Sequence, residues 1–359
     1  MKQKREIRTV SLIGLGAIGC FLASHLGHLL GSDLRVIAGG SRRERLEREG
    51  VIVNGVRHHF NIVSPEENCG QNYPDLAIII TKFPALPQAL EDMRNQIGPD
   101  TLIMAPLNGV EAEDKVAEVF GWDNLLYSLA KVSVVMKDGC ASFNPKAARI
   151  EMGEKHNETV SPRVQAVKEL FERSGIRTVV PEDMERAIWY KYMCNVSENQ
   201  SAAVLGIPFG AWSVSADANF IREELMREVI AIARKKGISL SERDMEKQAS
   251  ILRTCLLKIN RPPSRTLRRA ARRRWRCSEA PSFAWAVSWE CLRPIMKCST
   301  MESRCWSRRM RGCFRNIRRQ MRRGKADGNK ERRMDRWNWP SVFCLQPVYI
   351  ATGIFSPKV

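Results

Sequence analysis

Acidic residues are scarce in the last 99 positions of this 359-residue chain, where 6 Asp+Glu face 25 Lys+Arg, while positions 1–260 hold 33 of each. The formal net charge of +19 therefore sits in 261–359, and the basic balance says nothing about what the first 260 residues bind. Unbroken apolar runs are also missing. The most apolar early stretch, 10–30, is interrupted by Gly14, Gly16, Gly19, His25 and His28, which excludes a spanning helix there. Lys2, Lys4 and Arg5 precede it as in a signal peptide, yet the run reads better as strand, turn and helix. No Cys-x-x-Cys pair occurs, and Cys20, Cys69, Cys140, Cys194 and Cys255 lack metal-like spacing with His. A reduced, cytoplasmic compartment and no bound metal are expected.

What is present in 1–260 has the composition of a globular protein long enough to bury a core in two lobes. Residues 9–13 form a short β-branched run, Gly14-Leu15-Gly16-Ala17-Ile18-Gly19 turns the chain, and 21–30 continue with helical spacing. This is G-x-G-x-x-G leaving a strand and opening a helix, the context that dinucleotide binding requires. Gly14 permits the turn, Gly16 lets backbone N–H groups approach a pyrophosphate, and Gly19 lets helix and strand pack closely. The whole stretch Gly14, Leu15, Gly16, Ala17, Ile18 and Gly19 is a candidate cofactor contact; the plain alternative is a glycine turn with no ligand.

A second strand at 34–38 runs into Gly39-Gly40-Ser41-Arg42-Arg43. An NAD-binding protein would end this strand in a carboxylate for the ribose 2′-hydroxyl. Two guanidinium groups stand there instead, which favours a 2′-phosphate and hence NADPH, with Arg42 the principal candidate. The competing reading is a solvated start to a helix over 43–49. Strands at 76–80 and 102–106 with a helix at 85–97 continue the βαβ rhythm, placing Lys82 at a carboxyl edge as a cofactor or substrate contact. Asn108-Gly109-Val110 turns the chain before a helix at 112–120. Residues 132–136 and 147–152, separated by Lys137-Asp138-Gly139, read as a strand pair closing the sheet.

Pro181 is placed to start a helix running through Trp189 and Asn199, with Glu182, Asp183 and Glu185 complementing its dipole. Lys191, Asn195 and Asn199 are spaced i, i+4, i+8 and fall on one line of it. An ammonium and two carboxamides in a row can grip and protonate a small oxyanion, or form an exposed polar stripe. Helices at 220–236 and 242–257 follow.

In this order the G-x-G-x-x-G bend, the Asn108-Gly109 turn and W-x-K-x3-N-x3-N at Trp189, Lys191, Asn195 and Asn199 make the chain resemble the ketopantoate reductases (2-dehydropantoate 2-reductases) over about 8–260. The resemblance implies an NADPH-binding Rossmann lobe and an all-helical lobe, with reduction of ketopantoate to pantoate on the way to pantothenate and coenzyme A. It implies that Lys191 is the general acid, that Asn195 and Asn199 orient substrate, and that Asn108 lies by nicotinamide and substrate. Those roles fit the chemistry: hydride addition to a ketone makes an alkoxide, which an ammonium stabilises and protonates. Partial burial would bring a lysine's pKa, ordinarily about 10.4, toward the working pH.

The family's second lobe continues with an S-x-x-x-D stretch and a TE-hydrophobic-D/E motif whose carboxylate holds the substrate hydroxyl. Here the chain enters Arg261-Pro262-Pro263-Ser264-Arg265 and an Arg/Trp/Cys-rich run. Joining the last base of each codon to the first two of the next lets 261–278 spell SSLQDIEAGRKTEVEMF, the missing motif. Three later positions have no codon freedom: Trp285-Ala286 and Trp289-Glu290 force glycine, and Met296-Lys297 forces glutamate. A frameshift near Asn260 is expected. The competing reading, a nucleic-acid-binding arm at 268–276 or 308–323, has basic residues and Trp for stacking. Cys291, Cys298, Cys305 and Cys313 lack zinc-finger spacing.

The expectation is thus an α/β chain: residues 1–180 a Rossmann-type domain for NADP, 181–260 an incomplete, mostly helical substrate domain, and 261–359 an irregular, disordered tail. The expected partners are a small 2-oxo acid and, as an open candidate, a second copy of the chain, with no specific nucleic acid and no membrane. A reductase of another 2-oxo acid and a catalytically impaired NADP-binding protein are the alternatives.

Overall fold

The computed structural model describes residues 6–137, 139–144, 148–202, 212 and 215–259. The expectations for the tail beyond 259, including its frame, lie outside the described residues. The described chain divides into two units, one ending at Trp189 and one beginning at Tyr190.

The first unit opens on β1 (Val10–Ile13) and α1 (Ala17–Leu30), followed by β2 (Leu34–Ile37), α2 (Gly40–Glu49), β3 (Val51–Val53), β4 (Val56–His58) and β5 (Asn61–Val63). It continues through β6 (Leu76–Ile79), α3 (Leu86–Asp92), β7 (Leu102–Met104), α4 (Ala112–Phe120), β8 (Leu125–Lys131), β9 (Val134–Lys137) and β10 (Cys140–Phe143). Then come β11 (Arg149–Gly153), α5 (Pro162–Arg173) and β12 (Thr178–Val179). The main sheet has eight strands in the order β12-β11-β8-β7-β6-β1-β2-β5. All four β1 residues are buried, as a central parallel strand covered on both faces requires. One face takes Phe21, Leu22 and Leu26 of α1; the other packs Leu86, Leu90 and Val116 of α3 and α4. The buried carboxylate of Asp75 ties the start of β6 to β1, accepting from the N–H groups of Arg8 and Thr9 at 2.9 and 3.1 Å. From β1 the chain moves outward to β2 in one direction and through β6, β7 and β8 in the other, so the switch point lies between β1 and β6.

The expected pairing of 132–136 with 147–152 is corrected by the structure. β9 turns back on β10 in a separate four-stranded sheet, β4-β3-β10-β9, whereas β11 runs antiparallel to β8 in the main sheet. β8, at seven residues, is a longer partner for β11, which lies between β8 and β12. The expected helix over 85–97 is shorter, with α3 ending at Asp92 and a tight turn over Arg94–Gln96.

α6 (Met184–Cys194) begins in the first unit and ends in the second. It starts three residues later than Pro181: Asp183 Oδ1 accepts the Arg186 N–H at 2.8 Å, the geometry of an N-cap, while the Pro181 carbonyl accepts from Asn157. A π-helical turn (Asn195–Gln200) follows, then α7 (Ala216–Lys235) and α8 (Glu242–Ile259). No helix among the described residues is long and apolar enough to cross a membrane.

Candidate active site

The first unit carries a bend built for a close backbone approach. Gly14 has φ +102°, and a Cβ there would meet the Ile80 carbonyl oxygen at 2.2 Å. A Cβ on Gly19 would lie 1.8 Å from the Gly14 carbonyl oxygen, so neither glycine accepts a side chain unless the backbone moves. Gly16 differs: a Cβ there would meet nothing within 4 Å. It caps α1 with no side-chain hydrogen bond, and the first turn holds no acidic residue. The unsatisfied N–H groups of Ala17, Ile18 and their neighbours, with the helix dipole behind them, fit the pyrophosphate of a dinucleotide. Leu15, at the bend's centre, is buried. Cys20 in the same turn is no thiolate, since burial pushes its pKa up to about 11.

Three further candidates lie beyond the carboxyl ends of strands beside this bend. Arg42 stands in the first turn of α2 and is exposed, with no ion pair to a described residue. Arg43 is occupied: its guanidinium pairs with Glu47 at 2.8 Å and Glu67 at 2.7 Å. Lys82 is exposed just past β6. Asn108 is exposed past β7, next to Gly109 at φ +114°. Thr81, next to Lys82, places its methyl 3.2 Å from where a Gly14 Cβ would be. The bend, Lys82 and Asn108 thus share one edge of β1, β6 and β7, with Arg42 past β2.

The second unit holds the other candidates. Lys191 is half-buried in the last turn of α6, its Nζ closed off from solvent. The expected α-helical line past Lys191 is modified, because the chain widens to a π-turn at Asn195. Ser197 Oγ donates to the Met193 carbonyl at 2.7 Å and Ser201 Oγ to the Ser197 carbonyl, diverting acceptors from the helical ladder. Asn199 Nδ2 still donates to Asn195 Oδ1 at 2.8 Å, so the two carboxamides remain together. π-turns inside helices are frequent at functional sites.

In the same turn, one residue before Asn199, sits a group that spacing does not reveal. Glu198 is 5% exposed and pairs with Arg222 of α7, itself 4% exposed, at 3.1 Å. Gln248 of α8 donates to both Glu198 oxygens at 3.2 and 2.9 Å and accepts from Tyr190 at 3.0 Å. Burial pushes the Glu198 pKa up while Arg222 and Gln248 pull it down, and burial also raises that of Tyr190. Residues from α6, the π-turn, α7 and α8 are thereby clamped around one carboxylate. The only sequence signal for it was a charged residue at each of two helical positions that prove to be interior.

Glu228 of α7 has no such support. It is 9% exposed, neither oxygen has a hydrogen-bond partner among the described residues, and burial together with Glu224 pushes its pKa up to about 8. Folding therefore takes up a proton between the ordinary carboxylate pKa and about 8, so native stability falls as pH rises across that window. Glu228→Gln is expected to remove this slope: the variant should gain on the wild type steadily from pH 5 to 8 in urea-midpoint measurements, approaching about 1.4 kcal/mol per pH unit. Parallel pH profiles for the two proteins would refute the assignment.

Among the described residues no group of three His, Cys, Asp or Glu side chains could hold a metal ion. Compared with known proteins, the chain matches the family model "Ketopantoate reductase PanE/ApbA" over residues 10–157 and the model of that family's C-terminal part over 183–268. The 2-dehydropantoate 2-reductase of Pyrococcus horikoshii is 26% identical over 238 residues, covering 66% of this chain and 77% of its own. The structure is similar to that of 2-dehydropantoate 2-reductase from Geobacter metallireducens, with TM-score 0.61 and 19% identity over 87% of this chain and 99% of that one. It is also similar to D-mandelate dehydrogenase in complex with NADH and anilino(oxo)acetate, with TM-score 0.61 and 19% identity over 68% and 80%. The bend, the α/β sheet and the helical segment occur in family order, the family matches take in more than half of the chain, and it belongs to the ketopantoate reductases, oxidoreductases acting on CH–OH groups.

Proposed function

We propose that this chain is built for NADPH-dependent reduction of a 2-oxo acid, with ketopantoate as the first substrate to test and the cytoplasm as its setting. The observation that carries the reading is the solvent-shielded amine of Lys191, set one and two turns before a hydrogen-bonded pair of carboxamides. A bound reduced nicotinamide supplies hydride to the ketone carbon. Lys191 holds the proton that the nascent alkoxide needs and stabilises its charge beforehand. Asn195 and Asn199, tied to each other, orient the substrate's oxygens, and Asn108 serves the nicotinamide edge of the first unit. Gly14 to Gly19 cradle the pyrophosphate, Arg42 takes the 2′-phosphate, and Lys82 adds positive charge at the same edge. Among the described residues Cys20, Cys69, Cys140 and Cys194 are free thiols, which accords with a reducing compartment.

The tail bears on whether the chain as written turns over. The family match ends at residue 268, and the Pyrococcus relative is matched over 77% of its length. Permitted codons beyond Asn260 can spell the family's carboxylate motif in a shifted frame, and a frameshift there would remove it from the chain as written. NADPH oxidation should therefore be followed with ketopantoate for both the chain as written and the frame-corrected chain. The corrected chain is expected to turn over, and the chain as written to bind NADPH with little turnover. Cofactor binding without turnover in either would make this a non-catalytic dinucleotide-binding protein. Because the same fold holds a 2-oxo acid analogue in D-mandelate dehydrogenase, aryl 2-oxo acids belong in the substrate panel.

A further inference from the structure

At the end of β2 the sequence offers no carboxylate, which by itself favours a 2′-phosphate. The tertiary structure supplies one from elsewhere. β5 lies parallel to β2 at the sheet edge, and Ala38 N–H donates to the Val63 carbonyl at 3.0 Å, so the chain leaving β5 passes alongside Gly39. A Cβ on Gly39 would stand 3.3 Å from Pro65 Cδ. Two residues later Glu67 accepts from the guanidinium of Arg43 at 2.7 Å and from the Ser64 N–H at 3.0 Å.

Glu67 is held there from below. Its backbone carbonyl accepts from Gln96 Nε2 at 3.3 Å, Gln96 is fully buried, and Gln96 Oε1 accepts from the buried Ser11 hydroxyl of β1 at 3.0 Å. Asn95 Nδ2 adds a hydrogen bond to the Pro65 carbonyl at 2.8 Å. The strand that feeds the glycine bend and the loop that carries Glu67 are thus fixed to each other through the core. Glu47, one turn further along α2, binds the other edge of the Arg43 fork at 2.8 Å.

We infer that Glu67 is a cofactor-specificity residue, whose carboxylate takes up Arg43 and sets a negative charge beside the adenosine ribose site, so that Arg42 alone selects for the 2′-phosphate. The inference rests on the dinucleotide reading of the glycine bend. Its consequence is a preference for NADPH over NADH that is weaker than two adjacent arginines suggest. A 2′-phosphate must compete with two carboxylates for Arg43, and it is repelled by the one at Glu67; the ribose 2′-hydroxyl of NADH faces neither cost.

Isothermal titration of the full chain with NADPH and with NADH tests this, the readout being the ratio of the two affinities. Glu67→Gln is expected to shift the ratio toward NADPH roughly threefold to fivefold, the size an exposed charge pair carries, with NADH affinity unchanged. Arg43→Gln alone should move the ratio little, yet the double variant Glu67→Gln/Arg43→Gln should lose most of the gain, because the released guanidinium supplies it. Arg42→Gln should move the ratio toward NADH by tenfold or so, the value of a charged hydrogen bond to phosphate. If Glu67→Gln leaves the ratio within experimental error, or changes both affinities equally, the inference falls while the dinucleotide reading stands. If the wild-type chain binds neither cofactor, both fall.

Discussion

Replacing Lys191 by alanine in the frame-corrected chain is expected to lower kcat for ketopantoate by about 10²–10⁴-fold, the range that a positioned general acid contributes. NADPH affinity should stay within about twofold, because the dinucleotide candidates all belong to the first unit and Lys191 to the second. Hydride addition without a positioned proton donor leaves the alkoxide's charge without the compensation that an ammonium gives, so the loss falls on turnover. Lys191→Arg should not restore the rate: a guanidinium keeps the charge but does not give up a proton, and its planar fork does not fit where a compact ammonium did. A kcat within threefold of the wild type for Lys191→Ala would show that the proton comes from elsewhere.

The second large effect concerns stability. Arg222→Met leaves Glu198 as a carboxylate buried at 5% exposure with Gln248 as its remaining charge-stabilising partner, and breaking a buried pair from one side costs about 3–5 kcal/mol. Glu198→Leu combined with Arg222→Met should recover most of that loss, since an apolar pair of similar volume carries no desolvation penalty. Native-state hydrogen exchange of the α7 and α8 amides is the suitable measurement, because a chain of two units need not unfold in one step. The single variant should also loosen the π-turn, whose Asn195 and Asn199 flank Glu198, and so raise KM in the frame-corrected chain. Equal exchange in Arg222→Met and wild type would show that the ion pair contributes nothing net.

These two expectations draw on differently legible features. Lys191, Asn195 and Asn199 could be picked out from spacing because residues four apart share a helix face whatever the helix packs against. The glycine bend was legible for a similar reason: strand, turn and helix are contiguous, and the φ of +102° at Gly14 is a local demand. Other local signals are of the same kind. Asn54-Gly55 joins β3 and β4 with φ of +49° and +85°, the turn chemistry of a tight hairpin. Ser161-Pro162 opens α5, with Ser161 Oγ accepting the Val164 N–H.

The partnering of distant segments was not legible. The register that sets β11 against β8, with Ile150 opposite Ala130, is decided by which strand buries which face, and the short loop after β9 made the nearer partner look sufficient. Glu198 reads as a polar residue in a helix until α7 and α8 fold over it. Arg43 reads as a cation for a phosphate until the β5 loop brings Glu67 to it from 24 positions away.

By itself the sequence determined that a strand runs into a glycine bend and a helix, that a lysine and two asparagines line up on a later helix, and that the composition changes abruptly after residue 260. Each of these depends on neighbours in the chain, where backbone geometry alone enforces the outcome. Only the tertiary structure decided which charges survive as free charges. Arg43 is taken up by Glu47 and Glu67, Glu198 is shut in with Arg222 and Gln248, and Glu228 is buried with no hydrogen-bond partner among the described residues. A side chain's charge acts through distance and dielectric, and both are fixed by segments that meet only after the sheet and helices have packed.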